Sequence, residues 1–326
     1  MKPRIFDRSP RQFGPNMAVG SAEFMQFIMD VDQTIADGVT SWRRDGVERR
    51  DGSEIEGQGL FTTIDIEQHE ILAVKGGRVV NEAEVRKLTA EGTLHGSQQQ
   101  IGLDLFLVGL TEAEEDKNMI GYNHSCSPNA FFTWSLNNMS MFGTAFLVSR
   151  KAIPASQEIT TDHSVSHVSK THRFVCNCQS PDCRVIIQPR YDYLSPEFQK
   201  QYKGEFPVYI QELIDDLGKL SKNRRESVLY SARFGETVGK ISMIDGEIRR
   251  LEGLASRDDV QTQRLERFRL ALLMSSALLV GTYPGVAQAC GIEIANAKQF
   301  QKSVTEKIDV VVGYARKADE EHGWIS

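Results

Sequence analysis

Asn123-His124-Ser125-Cys126-Ser127-Pro128-Asn129, read together with Cys176-Asn177-Cys178-Gln179-Ser180-Pro181-Asp182-Cys183, decides how this chain is understood. The two stretches hold four of the five cysteines. Thiolates favour tetrahedral zinc, and a C-x-C-x4-C run supplies three ligands on one tight loop, which leaves one position for a cysteine brought from elsewhere. Cys126 is the obvious fourth. Unconnected buried thiols are the bland alternative, but three cysteines within Cys176–Cys183 favour metal. Disulfides fit less well, because the chain shows no charged-then-apolar secretory leader and Cys290 is left over.

N-H-S-C-x-P-N followed by C-x-C-x4-C resembles the signature of SET-domain methyltransferases and their post-SET zinc loop. The resemblance covers roughly residues 47 to 190. It implies S-adenosylmethionine as methyl donor and a protein lysine side chain as acceptor. It also implies an α+β chain whose β-rich SET domain, a β-clip, threads its C-terminal strand through a loop as a pseudoknot. On this reading Cys126, Cys176, Cys178 and Cys183 close a structural zinc site, since four protein ligands leave no open position for catalysis. Asn123 and His124 match the positions that hold the donor's adenine and amino-acid ends. His124 is not counted as a metal ligand, because the four cysteines already fill the shell. Phe174 is a candidate to stack on adenine, with plain core packing as the alternative.

Upstream lies Ser53-Glu54-Ile55-Glu56-Gly57-Gln58-Gly59-Leu60-Phe61. Alone, a Gly-x-Gly loop says only that the backbone turns sharply or approaches something closely. The resemblance makes Gly57, Gln58, Gly59 and Leu60 candidates for backbone contacts to the donor. Two positions depart from the family pattern. A Glu-Tyr-x-Gly-Glu segment, whose tyrosine helps line the active site, is replaced by Ala73-Val74-Lys75-Gly76-Gly77. The pattern Glu-Leu-Thr-x-Asp-Tyr is replaced by Glu158-Ile159-Thr160-Thr161-Asp162-His163, which puts His163 where the family's tyrosine hydroxyl meets amine and methyl sulfonium. Imidazole, with an ordinary pKa of about 6.5, suits that place only while neutral, since imidazolium repels the sulfonium. Tyr122, just before Asn123, offers a replacement hydroxyl or is simply packed. Three readings follow: a methyltransferase with His163 in the tyrosine's place, a SET fold turned to other chemistry on a small metabolite as a transferase or cyclising enzyme, and a non-catalytic binding subunit.

The 326 residues, 40% hydrophobic and 25% charged, suffice for two domains with their own cores. The longest mostly apolar run, Leu270 to Val280, contains two serines and is too short for a membrane span. The chain is therefore read as soluble and cytoplasmic. A net charge of -6 argues against a broadly basic nucleic-acid surface, although Arg43, Arg44, Arg49 and Arg50 form a local basic group.

Along the chain, residues 1–46 read as an irregular arm and a short amphipathic helix on Phe24, Phe27, Ile28, Val31 and Ile35, closed by a hairpin turn at Asp45-Gly46. Residues 47–175 carry the SET-like motifs. Within them Asn81 caps a helix to about Ala90, Ile101, Leu103, Leu105 and Leu107 alternate as in one strand, and Glu112 to Asp116 is an acidic loop. Phe131 to Leu136, Met141 to Ser149 and Glu158 to Asp162 read as strands, the first two joined at Asn137-Asn138. His167 and His172 sit in a serine- and lysine-rich segment read as a lid. After the zinc loop at 176–190, residues 191–326 take helical spacing: Ile210, Leu213, Ile214, Leu217; Ile241, Ile244, Ile248, Leu251; Ala297, Phe300, Val304, Ile308, Val311. Leu270 to Val280, apolar on most faces, is expected to be the buried central helix, ending at Gly281 and Pro284. This bundle of four or five segments offers a groove wall, a homodimer interface or a docking surface for a partner protein, and the sequence does not choose among them.

Overall fold

The structure, a computed structural model, describes residues 41–94, 98–109, 122–133, 135–136, 139–140, 145–169, 172–292 and 296–321. The expected N-terminal arm and helix, the acidic run and the Asn137-Asn138 turn lie outside the described residues. The chain divides into two compact units. One takes in the described residues up to His167 with Asn177–Cys183 and Lys200–Leu213; the other takes in Val168–Cys176, Arg184–Gln199 and the described residues from Ile214 onward.

The first unit is built from β-sheets. One sheet runs in the order Ser41–Arg43, Ile71–Lys75, Ala145–Ser149, Ala130–Thr133, antiparallel throughout. Its two central strands are buried at every position, which is why Ile71-Leu72-Ala73-Val74 and Ala145-Phe146-Leu147-Val148 read as continuous apolar runs. A second sheet runs Val47–Asp51, Gln58–Thr62, Glu158–Thr161, Asn123–His124, and its last pair is parallel. Leu60, Leu72, Leu107, Leu147 and Ile159, all at 0% exposure, form the core that these strands share with Phe132 and Ile66.

Asp45-Gly46 does turn the chain: Gly46 has φ +82° and the Val47 N–H donates to the Arg44 carbonyl at 3.0 Å. The strands on either side, however, join different sheets and make no hairpin. A glycine turn specifies that the chain reverses, whereas the partner is chosen by where each strand buries its apolar face. The alternation from Ile101 to Leu107 likewise belongs to two strands. Gln99–Gly102 and Leu105–Val108 pair antiparallel, and the turn between them leaves Leu103 57% exposed. The Gln100 side-chain amide donates to the Gly102 carbonyl at 2.8 Å and holds the turn. A period of two continues unbroken across a two-residue turn, so spacing alone could not show it. The helix Glu82–Ala90 forms where expected, with the Asn81 side chain accepting the Glu84 N–H at 2.9 Å.

The second unit holds a short antiparallel pair, Phe174–Val175 with Ile186–Ile187, and helices. Five helices follow residue 221 among the described residues: Lys222–Glu252, Asp259–Thr282, Pro284–Ala289, Ala297–Glu306 and Ile308–Glu321. Ile241, Ile244, Ile248 and Leu251 are buried, as their spacing requires. The long helix Lys222–Glu252 is the central one, packing against both Asp259–Thr282 and Ile308–Glu321. The apolar stretch Leu270 to Val280 is not buried all round: Leu265, Phe268, Leu272 and Leu279 face the core, while Leu270, Met274 and Leu278 are 60%, 65% and 59% exposed. Apolarity on every face permits burial on every face, but one layer of neighbours covers only one. The helix also starts earlier than its apolar run suggests. Asp258 and Gln261 form a reciprocal capping box, with the Asp258 carboxylate accepting the Gln261 N–H at 2.7 Å.

Gly239 sits inside the central helix, where glycine normally costs stability. A Cβ there would lie 2.7 Å from Gln188 Oε1, so the missing side chain makes room for the Gln188 amide, which donates to the Glu236 carbonyl at 2.8 Å. Arg173 Nη1 meets Asp319 Oδ1 nearby at 3.0 Å, and the Asp319 side chain is fully buried. No helix among the described residues is long and apolar enough to cross a membrane. Removing one partner of a buried ion pair leaves a charge without compensation. Asp319→Ala should therefore lower unfolding free energy by about 3 kcal/mol, read from the urea midpoint of the full chain.

Candidate active site and metal centre

The strand Glu158–Thr161 positions the site, because it has a neighbour on each edge. On one side it pairs antiparallel with the Gly-x-Gly strand (Glu158 opposite Phe61, Ile159 opposite Leu60). On the other it pairs parallel with Asn123–His124 (Thr160 opposite Asn123, Thr161 opposite His124). Gly57, Gln58, Gly59, Leu60, Asn123 and His124 are thereby drawn onto the two flanks of one strand that leads to His163. Asn129, at the end of the quoted motif, clamps the arrangement: its Oδ1 accepts the Thr160 N–H at 2.8 Å and its Nδ2 donates to the Glu158 carbonyl at 2.8 Å.

The Asn123 carboxamide joins the flanks directly. Its Nδ2 lies 2.7 Å from Glu158 Oε1, 2.9 Å from Ser53 Oγ, 3.0 Å from the Gln58 carbonyl and 3.1 Å from the Glu56 carbonyl. Two amide protons thus serve four acceptors. The Ser53 hydroxyl donates to the Glu158 carboxylate at 2.9 Å and accepts the Ile55 N–H at 3.0 Å, which ties the turn before Gly57 to the same carboxylate. Gly57 takes a left-handed φ of +51°, with open space where a Cβ would stand. Gly59 is needed for a different reason: a Cβ would lie 2.4 Å from Glu158 Oε1. The Leu60 side chain is wholly in the core, so only its backbone faces the strand edges. Sequence reasoning named neither Ser53 nor Glu158 as site residues. The available signal was a carboxylate opening the strand that faces a glycine loop.

The strand stops at Thr161, and the chain turns into a single helical turn, His163–Ser166, capped by the Asp162 carboxylate on the Ser164 N–H at 3.0 Å. His163 is therefore the first residue of a helix, not the last of a strand. Its backbone N–H donates to His124 Nδ1 at 3.2 Å. His124 Nδ1 also lies 3.7 Å from Asp162 Oδ1, and its Nε2 points at Cys126 Sγ 3.4 Å away. The His163 ring stands edge-on to Tyr122 and His124, with ring centres 5.7 and 5.3 Å away, and His167 follows at 5.9 Å. His167 is buried at 3% exposure, with Nδ1 3.2 Å from the His163 carbonyl, so the expected lid does not include it. The Tyr122 hydroxyl donates to Gln99 Oε1 at 2.9 Å, its ring packs edge-on to Phe132, and burial pushes its pKa well up. Val74 is buried in its sheet at 1% exposure. Phe174 lies in the helical unit, edge-on to His172 with ring centres 5.4 Å apart.

All five cysteines are free thiols. The Sγ atoms of Cys126, Cys176, Cys178 and Cys183 lie within 4.8 Å of one another, with the first two buried and the others half-buried. Tetrahedral zinc with Zn–S bonds of about 2.3 Å sets S···S edges of about 3.8 Å, so four converging thiols of this spacing fit such an ion. The surrounding donors suit thiolates as well: the Cys126 N–H points at Cys178 Sγ at 3.4 Å, and Ser180 Oγ lies 3.2 Å from the same sulfur. The cluster can hold a metal ion, and His124 Nε2 lies 3.4 Å from the sulfur of one of its cysteines.

The SET domain family model matches residues 57–164, a span that opens on Gly57 and closes just past His163. Residues 57–164 are a SET domain. Among curated relatives, a "Histone-lysine N-methyltransferase, H3 lysine-36 specific" of Eremothecium gossypii is 24% identical over 223 residues, 68% of this chain and 31% of that protein. A protein of the same name in Candida albicans is 28% identical over 134 residues, 40% of this chain and 15% of its own length. "Histone-lysine N-methyltransferase ash1" of Drosophila melanogaster is 28% identical over 153 residues, 46% of this chain and 7% of that protein. The chain thus spans between 7% and 31% of the length of these three relatives.

Two substitutions probe the SET domain's anchors. Cys178→Ser should lower metal content by mass spectrometry and lower the melting temperature together, and unchanged values of both would sink the four-thiolate site. Gly59→Ala must displace the Glu158 carboxylate. It should cost about 1–3 kcal/mol in chemical denaturation, the range expected for overpacking.

Proposed function

We propose that this chain is an S-adenosylmethionine-dependent methyltransferase acting on a lysine side chain of a protein. The observation that carries the reading is the two-edged strand Glu158–Thr161, which draws the Gly57–Leu60 loop, Asn123, His124 and His163 together inside the stretch matching the SET family. The relatives' names, all lysine methyltransferases, support the same class. Histone H3 is the first protein substrate to test, since it is named for two of them.

When bound, the donor supplies a methyl group on a positively charged sulfonium. Gly57, Gln58 and Gly59 would hold it through backbone groups, with Asn123 and His124 on the facing flank; the open space above Gly57 fits such an approach. The acceptor lysine must lose a proton, because its ordinary pKa is about 10.4 and only the neutral amine is nucleophilic. The amine gives up its proton to solvent before the methyl group moves, and neutral His163 is the group assigned to accept a hydrogen bond from the amine and orient it, with Tyr122 packed edge-on beside it. Burial keeps the Tyr122 phenol protonated, so it adds no charge next to the sulfonium. The four cysteines would hold zinc as a closed post-SET centre, whose work is structural.

Calorimetric titration of the zinc-loaded protein with S-adenosylmethionine and S-adenosylhomocysteine tests the first half. Micromolar binding of both is expected, and no binding of either by folded protein would overturn the reading. Transfer of labelled methyl to histone H3 tests the second half. His163→Ala should reduce turnover by about a hundredfold, the size of a misplaced reacting group, with S-adenosylhomocysteine affinity kept.

A further inference from the structure

The helical turn that carries His163 cannot hold itself. His163–Ser166 is four residues long, and one turn of helix is unstable without tertiary support. Its two ends are held from the same place, the segment Lys200–Leu213, which lies outside residues 57–164 yet belongs to the β-rich unit. At the N-terminal end, Tyr202, 1% exposed, donates its hydroxyl to Asp162 Oδ2 at 2.8 Å, while Asp162 Oδ1 caps Ser164. At the C-terminal end, Tyr209, 8% exposed, donates to the Ser166 carbonyl at 2.6 Å. The segment is itself pinned by Arg150. This guanidinium bonds Glu205 Oε1 through Nε at 2.8 Å and the Gln201 carbonyl through Nη2 at 2.9 Å, and stacks on the Tyr202 ring at 4.7 Å.

We infer that Tyr202 is a positioning residue for His163, acting through Asp162, and that Tyr209 closes the other end of the same clamp. The Asp162 carboxylate accepts from Tyr202 at Oδ2 and from the Ser164 N–H at Oδ1, and Oδ1 also lies 3.7 Å from His124 Nδ1. If Oδ2 loses the Tyr202 hydroxyl, the cap on Ser164 can rotate, and the imidazole swings with the first turn of the helix. Phenol donors suit this place because they fix geometry without bringing charge near the reacting cation. Burial holds the Tyr209 hydroxyl protonated at any working pH. The inference rests on the proposed role of His163 for its consequence in turnover, and on the hydrogen bonds alone for its consequence in structure.

The test uses the full zinc-loaded chain in four forms: wild type, Tyr202→Phe, Asp162→Asn and the double variant. In protein labelled with nitrogen-15 histidine, Tyr202→Phe should shift the His163 imidazole signals and leave those of His69 in place. Turnover on histone H3 should fall roughly ten- to a hundredfold, the size expected of a misplaced reacting group, with S-adenosylhomocysteine affinity changed less than about twofold. The double variant should be no slower than the slower single one, since both changes break one hydrogen bond. An unmoved His163 signal, additive losses in the double variant, or parallel losses of affinity and turnover explained by a lower melting temperature would each overturn the clamp. If the wild type binds no donor analogue, the methyltransferase reading fails by itself, and the histidine spectra still decide the clamp.

Discussion

Everything at the site depends on a single strand, Glu158–Thr161, having a hydrogen-bonding partner along both edges. Neighbouring strands are about 4.8 Å apart, so this pairing alone brings a glycine loop near residue 58 and an asparagine-histidine pair near residue 124 within a side chain's reach of each other. The pairing with Asn123–His124 is parallel, which demands a long connection between the partners. The chain between them supplies it and spends the length well, placing Ala130–Thr133 and Ala145–Ser149 in the neighbouring sheet. Glu158 and Asn129 then lock the register through side chains, one across the glycine loop and one across the backbone of the strand itself.

Four thiols converge beside this arrangement, with Cys126 Sγ 3.4 Å from His124 Nε2. A metal ion held by Cys126, Cys176, Cys178 and Cys183 would close a loop of some fifty residues, and such a cross-link restricts the unfolded chain more than the folded one. His124 points Nε2 at the Cys126 sulfur and accepts the His163 amide on Nδ1, so one imidazole links a cysteine of the cluster to the start of the site's helical turn.

The helical unit has its own core around the helix Lys222–Glu252, with Gly239 and the buried pair Arg173–Asp319 set into it. Its apolar content exceeds what its neighbours cover, and Leu270, Met274 and Leu278 stay exposed on one helix face. Between the two units the chain does not change allegiance once and for all. Lys200–Leu213 returns to the β-rich unit after Arg184–Gln199 has joined the helical one. That return places Tyr202 and Tyr209 against the His163 turn.

Read alone, the sequence determined the chemistry-bearing pieces. The cysteine spacing marked a candidate metal site, Asn81 marked a helix start, the run around Leu147 marked a strand, and Ile241 to Leu251 marked a buried helix face. Each of these is a local pattern whose physical cause lies within a turn or two of chain. The tertiary structure alone decided who meets whom. It separated the strands around Asp45-Gly46 into different sheets, folded Ile101 to Leu107 into two strands, left one face of Leu270 to Val280 in solvent, and set Glu158 under Gly59 and Tyr202 against Asp162. None of these could be read from spacing, because a strand edge, an apolar face or a hydroxyl acquires its partner only when segments far apart in sequence bury surface together.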